Sequence, residues 1–183
     1  MVLAASRVDA PAFWKEVAAT PHGGAIATCI QCGTCTSSCP VEAHVPDFNV
    51  RRLVARVKLG LRDDVLSDPA IWTCTRCFAC VARCPKHVEP GEIVVALRHL
   101  ALREGRDGVG PRHARAFADS VRENGRIHES RVTIESIGVA GVVREGLLPV
   151  RMALHGKMPS LRRRPLETVA EVQALIAAAE ESP

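Results

Sequence analysis

The sequence predicts an all-helical protein, and three observations carry that expectation. Aromatic residues make up only 3% of the 183-residue chain and tyrosine is absent. That is poor material for sheets, whose strands favour aromatic and β-branched side chains. The apolar residues, 47% of the chain, are mostly Ala, Val and Leu set among many Arg and Glu, a mixture that favours helices. Finally, the segments before, between and after the cysteine runs show apolar residues at helical rather than alternating spacing.

Taken in order, residues 9–20 read as a short amphipathic helix, with Phe13 and Val17 one turn apart and Pro11 tolerated near its start. Pro21-His22-Gly23-Gly24 breaks it and leads into the first cysteine run. Gly33 lies inside that run, where a small residue allows close backbone approach. Asp47 is a candidate N-cap for the next helix. There Val50, Leu53, Val54, Val57 and Leu61 form one apolar face, while Arg51, Arg52, Arg56 and Lys58 take the other. Gly60 is a natural stop. Asp68-Pro69 reads as an N-cap and first-turn proline that carry Trp72 into the second cysteine run. After it, Glu92 to Arg103 forms a helix with Ile93, Ala96, Leu97 and Leu100 as its stripe and Gly105 as its end. Residues 111–123 and 166–180 are also predicted helical, and Pro149, Pro159 and Pro165 mark loops.

All eight cysteines fall into two copies of Cys-x2-Cys-x2-Cys-x3-Cys-Pro: Cys29, Cys32, Cys35, Cys39, Pro40, then Cys74, Cys77, Cys80, Cys84, Pro85. This is the bacterial spacing for cubane 4Fe–4S clusters, in which three thiolates wrap one cluster and the fourth cysteine reaches the other. The expected ligand sets are Cys29, Cys32, Cys35 and Cys84 for cluster one, and Cys74, Cys77, Cys80 and Cys39 for cluster two. Each proline ends its loop, since a fixed φ and a missing N–H turn the chain away. Disulfides would need an oxidising compartment, and the opening stretch Met1 to Asp9 lacks the basic and apolar regions of a secretory leader. Structural zinc, the reading as an interaction module, uses two separated Cys-x2-Cys pairs to close one tetrahedron, whereas each half here carries four thiols. A structural role for clusters is a further alternative, but paired clusters imply a relay.

Because helices rather than short hairpins separate the two runs, the expected architecture is an α-helical ferredoxin-like domain with two 4Fe–4S clusters over residues 22–105. Residues 1–21 form a helical N-terminal extension, and residues 106–183 a helical or irregular C-terminal one. A partner-docking arm and a plain tail are both open readings for the arginine-rich stretch 145–165. A formal charge of +4, with no basic stripe interleaved by aromatics, argues against nucleic-acid binding despite Arg162-Arg163-Arg164. No apolar run approaches the roughly 20 residues of a membrane span. A cytoplasmic chain, where thiols stay reduced, is the expectation. Lys86 and His87 follow the second run and could raise a cluster's potential, though a solvated loop pair is the simpler reading. Trp72 reads as a packing residue. His22, His44 and His99 stand at no metal-ligand spacing.

Several stretches resemble the heterodisulfide reductase C subunit. They are Cys29-Ile30-Gln31-Cys32-Gly33-Thr34-Cys35-Thr36-Ser37-Ser38-Cys39-Pro40, and Asp68-Pro69-Ala70-Ile71-Trp72-Thr73-Cys74-Thr75-Arg76-Cys77 with its Trp just before the motif. The connecting segments Arg51-Arg52-Leu53 to Gly60-Leu61 and Val65-Leu66-Ser67-Asp68 also match. The resemblance covers about residues 25–105 and thins beyond, where His155-Gly156-Lys157-Met158-Pro159 is similar to C-terminal arms of relatives in sulfur-oxidising bacteria. It implies an electron-transfer subunit in a hetero-oligomeric complex. Two clusters would relay single electrons between a flavin- and cluster-bearing A subunit and a B subunit with Cys-Cys-Gly motifs that handles disulfide or sulfur chemistry. This chain has no Cys-Cys-Gly, and Gly108-Val109-Gly110 is not a complete dinucleotide-binding fingerprint, so no catalytic site of its own is expected. An iron–sulfur subunit of a succinate- or glycolate-oxidising complex is the alternative.

Overall fold

A computed structural model of the chain describes residues 10–181 apart from 22, 46, 161 and 163. The opening stretch Met1 to Asp9, His22 and Arg163 therefore lie outside the described residues. Among the described residues there are ten α-helices, two short 3-10 turns and no strand, so the all-helical expectation holds. None of these helices is long and apolar enough to cross a membrane. The chain divides into two compact units, one ending at Arg106 and the other beginning at Asp107.

In the first unit, α1 (Ala10–Ala18) buries Phe13 and Val17 on one side. The break that follows needs its glycine, because a Cβ on Gly23 would lie 1.8 Å from the Val17 carbonyl oxygen. A 3-10 turn, Ile26–Thr28, then leads to the first cysteine loop, which contains the single-turn helix α2 (Thr34–Ser37). Helix α3 (Val50–Lys58) buries Val50, Leu53, Val54 and Val57, the face its spacing predicts. Its N-cap is Asn49 rather than Asp47. Asn49 is the extended residue immediately before the first turn, and its Oδ1 accepts from the Arg52 N–H at 2.9 Å. The Thr36 hydroxyl donates to the same oxygen at 3.2 Å and accepts from the Arg51 N–H at 3.1 Å, so the start of α3 is pinned to the first loop.

Helix α4 (Arg62–Leu66) follows, burying Val65 and Leu66. The second 3-10 turn, Pro69–Thr73, is capped as predicted, with Asp68 Oδ1 accepting from the Ala70 N–H at 2.8 Å. The second loop carries α5 (Ala79–Ala82) and runs into α6 (Pro90–Arg103). This last helix starts two residues before Glu92 because Pro90 takes its first position, where no N–H partner is needed. Ile93, Val94, Ala96 and Leu97 are each 0% exposed, placing α6 at the centre of the core. Ile26 and Ile71, one from each 3-10 turn, are equally buried in the same core cluster. Arg62 joins three elements: it donates to both Glu16 carboxylate oxygens on α1 at 2.8 and 2.9 Å, pairs with Glu104 after α6, and lies 5.8 Å from the Phe13 ring centroid. The Glu16 carboxyl is held below the usual carboxylate range by that guanidinium.

The second unit comprises α7 (Val109–Asn124), α8 (Glu129–Arg144), α9 (Leu147–Leu154) and α10 (Val169–Glu181). Helix α8 is interrupted at Gly138, whose φ of 71° and ψ of 168° leave the helical region. Pro149 lies inside α9 and not in a loop, because it falls in the first turn, where backbone N–H groups have no helical acceptor. Polar groups hold much of this unit: Ser120 Oγ accepts from the His128 N–H at 2.7 Å, Asn124 Nδ2 donates to the Ser120 carbonyl at 3.0 Å, and Gln173 on α10 donates to the Arg122 carbonyl at 3.0 Å. Its apolar residues are largely uncovered, with Val143, Leu147 and Leu154 at 72%, 74% and 80% exposure.

Candidate functional site

The two cysteine loops are one structure built twice, 45 residues apart (74 − 29 = 45). Thr28 Oγ1 donates to the Ala25 carbonyl at 2.9 Å, and Thr73 Oγ1 donates to the Ala70 carbonyl at 2.7 Å. Around the second cysteine of each run the backbone takes two left-handed steps, at Gln31 (φ 58°) and Gly33 (φ 88°), and at Arg76 (φ 54°) and Phe78 (φ 60°). The single turns α2 and α5 then begin at matching positions, Thr34 and Ala79.

Each loop is braced by a cation from a following helix. Lys58 on α3 donates to the Cys29 carbonyl at 3.0 Å and the Ala27 carbonyl at 3.3 Å. Arg98 on α6 donates to the Cys74 carbonyl at 2.7 Å and the Ile71 carbonyl at 2.8 Å, with its guanidinium 5.6 Å from the Trp72 ring centroid. Burial pulls the Arg98 pKa down. Sequence periodicity assigns Lys58 simply to the polar face of α3; its stem instead turns the charge onto the loop.

Two cavities of about 20 Å³ each lie against the loops. One is lined by Cys29, Cys32, Cys35 and Cys84, together with Arg51 and Lys86. The other is lined by Cys39, Cys74, Cys77 and Cys80, together with Arg76 and Phe78. Each thus draws three thiols from one run and one from the other, and among the described residues no Asp or Glu lines either. His87 (φ 49°), His44 and His99 line neither cavity. Trp72 packs against the core, as a packing residue should.

None of the eight cysteines is paired in a disulfide. Several sulfurs already have polar partners: Gln31 Nε2 donates to Cys29 at 3.3 Å, the Val88 N–H donates to Cys84 at 3.3 Å, and Thr34 Oγ1 lies 3.4 Å from Cys32. Hydrogen bonding with Thr34 lowers the Cys32 thiol pKa. Burial raises that of Cys35 against contacts with Thr36 that pull it down. Burial, then the neighbouring Cys74, pushes Cys80 up to about 11, partly offset by a hydrogen bond from the Gly91 backbone. Among the described residues, no three His, Cys, Asp or Glu side chains converge on a position for a single ion. A cubane does not require convergence, because each sulfur binds a different iron. Soft donors ringing a space, N–H and O–H groups on the sulfurs, nearby cations and no carboxylate form a set that fits an anionic iron–sulfur cluster. Gln31, Thr34, Arg51, Phe78 and Arg98 are parts of this surrounding that motif spacing does not reveal. Alignment of the two runs at their 45-residue offset is the signal that singles out most of them.

Comparisons with known proteins point to the same class of cofactor. A 4Fe-4S dicluster domain family matches residues 25–88. The C subunit of the H(2):CoB-CoM heterodisulfide,ferredoxin reductase of Methanothermobacter thermautotrophicus is 30% identical over 156 residues, covering 85% of this chain and 76% of the relative. The iron-sulfur C subunit, copy 2, of the CoB--CoM heterodisulfide reductase of Methanocaldococcus jannaschii is 39% identical over 110 residues, 58% of each chain. The 8-methylmenaquinol:fumarate reductase iron-sulfur subunit of Wolinella succinogenes is 35% identical over 146 residues, 73% of this chain and 46% of that one. The protein is an iron–sulfur electron-transfer subunit with 4Fe–4S clusters as its cofactors. The chain belongs to the family of heterodisulfide reductase C subunits.

Proposed function

We propose that this chain relays single electrons within a hetero-oligomeric, heterodisulfide-reductase-like complex, between a flavin- and cluster-bearing subunit and a Cys-Cys-Gly subunit that performs thiol, disulfide or sulfur chemistry. Cys29, Cys32, Cys35 and Cys84 hold one cluster, and Cys74, Cys77, Cys80 and Cys39 hold the other. The single observation that supports the ligand sets best is the lining of the two cavities, each with three thiols of one run and the fourth of the other. When bound, the clusters supply one-electron redox chemistry without making or breaking substrate bonds.

The chain's own residues set the frame for that chemistry. Lys58 and Arg98 fix the carbonyls of Cys29 and Cys74, which holds the first thiol of each loop in register. Arg51, Lys86 and Arg76 place positive charge beside thiolate-rich sites, where the total charge is negative. The exchanged fourth ligands tie the two loops into one unit.

The partner assignment is tested by isolating a tagged chain anaerobically from its own cells. A flavin-bearing subunit and a Cys-Cys-Gly subunit should both be recovered with it; recovery of the chain alone would overturn the reading. The match to a fumarate reductase iron-sulfur subunit supports a second reading, in which the catalytic partner acts on an organic acid. Copurification of a dicarboxylate-oxidising flavoprotein in place of the Cys-Cys-Gly partner would favour it.

A further inference from the structure

The two loops share a backbone but not a set of side chains, and several of the differences change the polarity, charge or bulk beside the sulfurs. Gln31, whose amide donates to the Cys29 sulfur, is replaced by Arg76 in the second loop. Thr34, whose hydroxyl lies 3.4 Å from the Cys32 sulfur, is replaced by Ala79. A thiolate bound to iron can only accept, so the Thr34 O–H is the donor in that pair. Thr36 beside Cys35 is replaced by Val81. Gly33, which leaves the first loop open beneath the Arg51 side chain, is replaced by Phe78, whose ring walls the second cavity.

Phe78 keeps the left-handed backbone of its glycine counterpart, with φ of 60°. That conformation strains a bulky residue where glycine adopts it freely. The fold retains the ring all the same, 41% exposed, in the wall it shares with Cys80.

Donors to sulfur and nearby cations favour the reduced, more negative form of a cluster, and exclusion of water disfavours it. Both arguments run the same way here. The first site has two side-chain donors on its sulfurs and two lining cations, Arg51 and Lys86. The second has one lining cation, Arg76, whose guanidinium lies 5.7 Å from the Phe78 ring centroid. The carbonyl braces, Lys58 and Arg98, contribute one cation to each loop and so do not separate them.

We propose that the two sites are poised at different potentials, with the site on Cys29, Cys32 and Cys35 the more positive. An electron entering at the second site passes to the first: the second is oxidised by one electron, the first is reduced by one, and no bond or proton moves. Thr34 and Gln31 are positioning residues for the upper potential, and Phe78 for the lower. This rests on the two-cluster relay reading and adds its direction.

The test is a potentiometric titration of the anaerobically prepared full chain, reduced stepwise with dithionite and followed by electron paramagnetic resonance. Two one-electron steps are expected. Thr34→Val, which keeps the shape and removes the donor, should move only the upper step to more negative potential, and Thr34→Ser should restore it. Phe78→Gly should move only the lower step to more positive potential. A single unresolved step, a Thr34→Val shift confined to the lower step, or two steps that no variant moves would each overturn the inference while leaving the relay intact. A chain without iron would overturn the relay reading itself.

Discussion

The two cysteine loops have the same backbone path and opposite surroundings. The first is open, hydroxyl-rich and basic, while the second is walled by Phe78 and has Ala79 and Val81 where the first has threonines. The motif determines what is bound, whereas the residues between the cysteines determine how the bound group behaves. A duplicated motif can thus become a pair of unequal sites without any change in ligand type. The braces differ in the same way on a smaller scale, with a flexible lysine on one side and a half-buried, ring-stacked arginine on the other.

The largest expected effect comes from breaking the proposed exchange of fourth ligands. Cys39→Ala should strip the second site, halving the iron and exposing Cys74, Cys77 and Cys80 to maleimide while Cys29, Cys32 and Cys35 stay protected. Cys84→Ala should do the reverse. Peptide mapping of the alkylated thiols reads the result, and protection in the opposite loops would break the exchange. Next, Ile26→Ala and Ile71→Ala remove equivalent side chains beneath the two loops, and each should cost about 3 kcal/mol in chemical unfolding. Equal losses would show that the loops rest on one shared core.

The braces should separate the loops more finely. Arg98→Ala leaves two carbonyls and a ring face without their partner and should cost about 2 kcal/mol, whereas Lys58→Ala, at a more exposed site, should cost about 1 kcal/mol. The smallest effect belongs to the second unit. Leu154→Ala, at a residue 80% exposed, should change stability by less than about 0.5 kcal/mol in the same measurement.

Much of the first unit is legible in the sequence because its signals are periodic or chemical. The stripe of Val50, Leu53, Val54 and Val57 buries as its spacing implies, and Asp68-Pro69 starts a turn as such pairs do. Asn49 is not legible as the cap because Asp47 is equally good locally, and only the hydroxyl of Thr36 across the loop distinguishes them. Lys58 and Arg98 are not legible as braces, since a cation on a helix face looks the same whether it meets water or a distant carbonyl. Phe78 carries no local mark of its left-handed backbone; only its register with Gly33 reveals it. In the second unit, Pro149 resembles a break because proline is permitted in the first turn of a helix and forbidden later, and nothing nearby tells which.

If all eight thiols serve two cubane clusters, the metal content of the chain is fixed. Counting iron, acid-labile sulfide and zinc on the anaerobically purified chain tests this most directly. Two cubanes require about eight irons and about eight sulfides per chain with no zinc. About two zincs per chain with neither iron nor sulfide would contradict them.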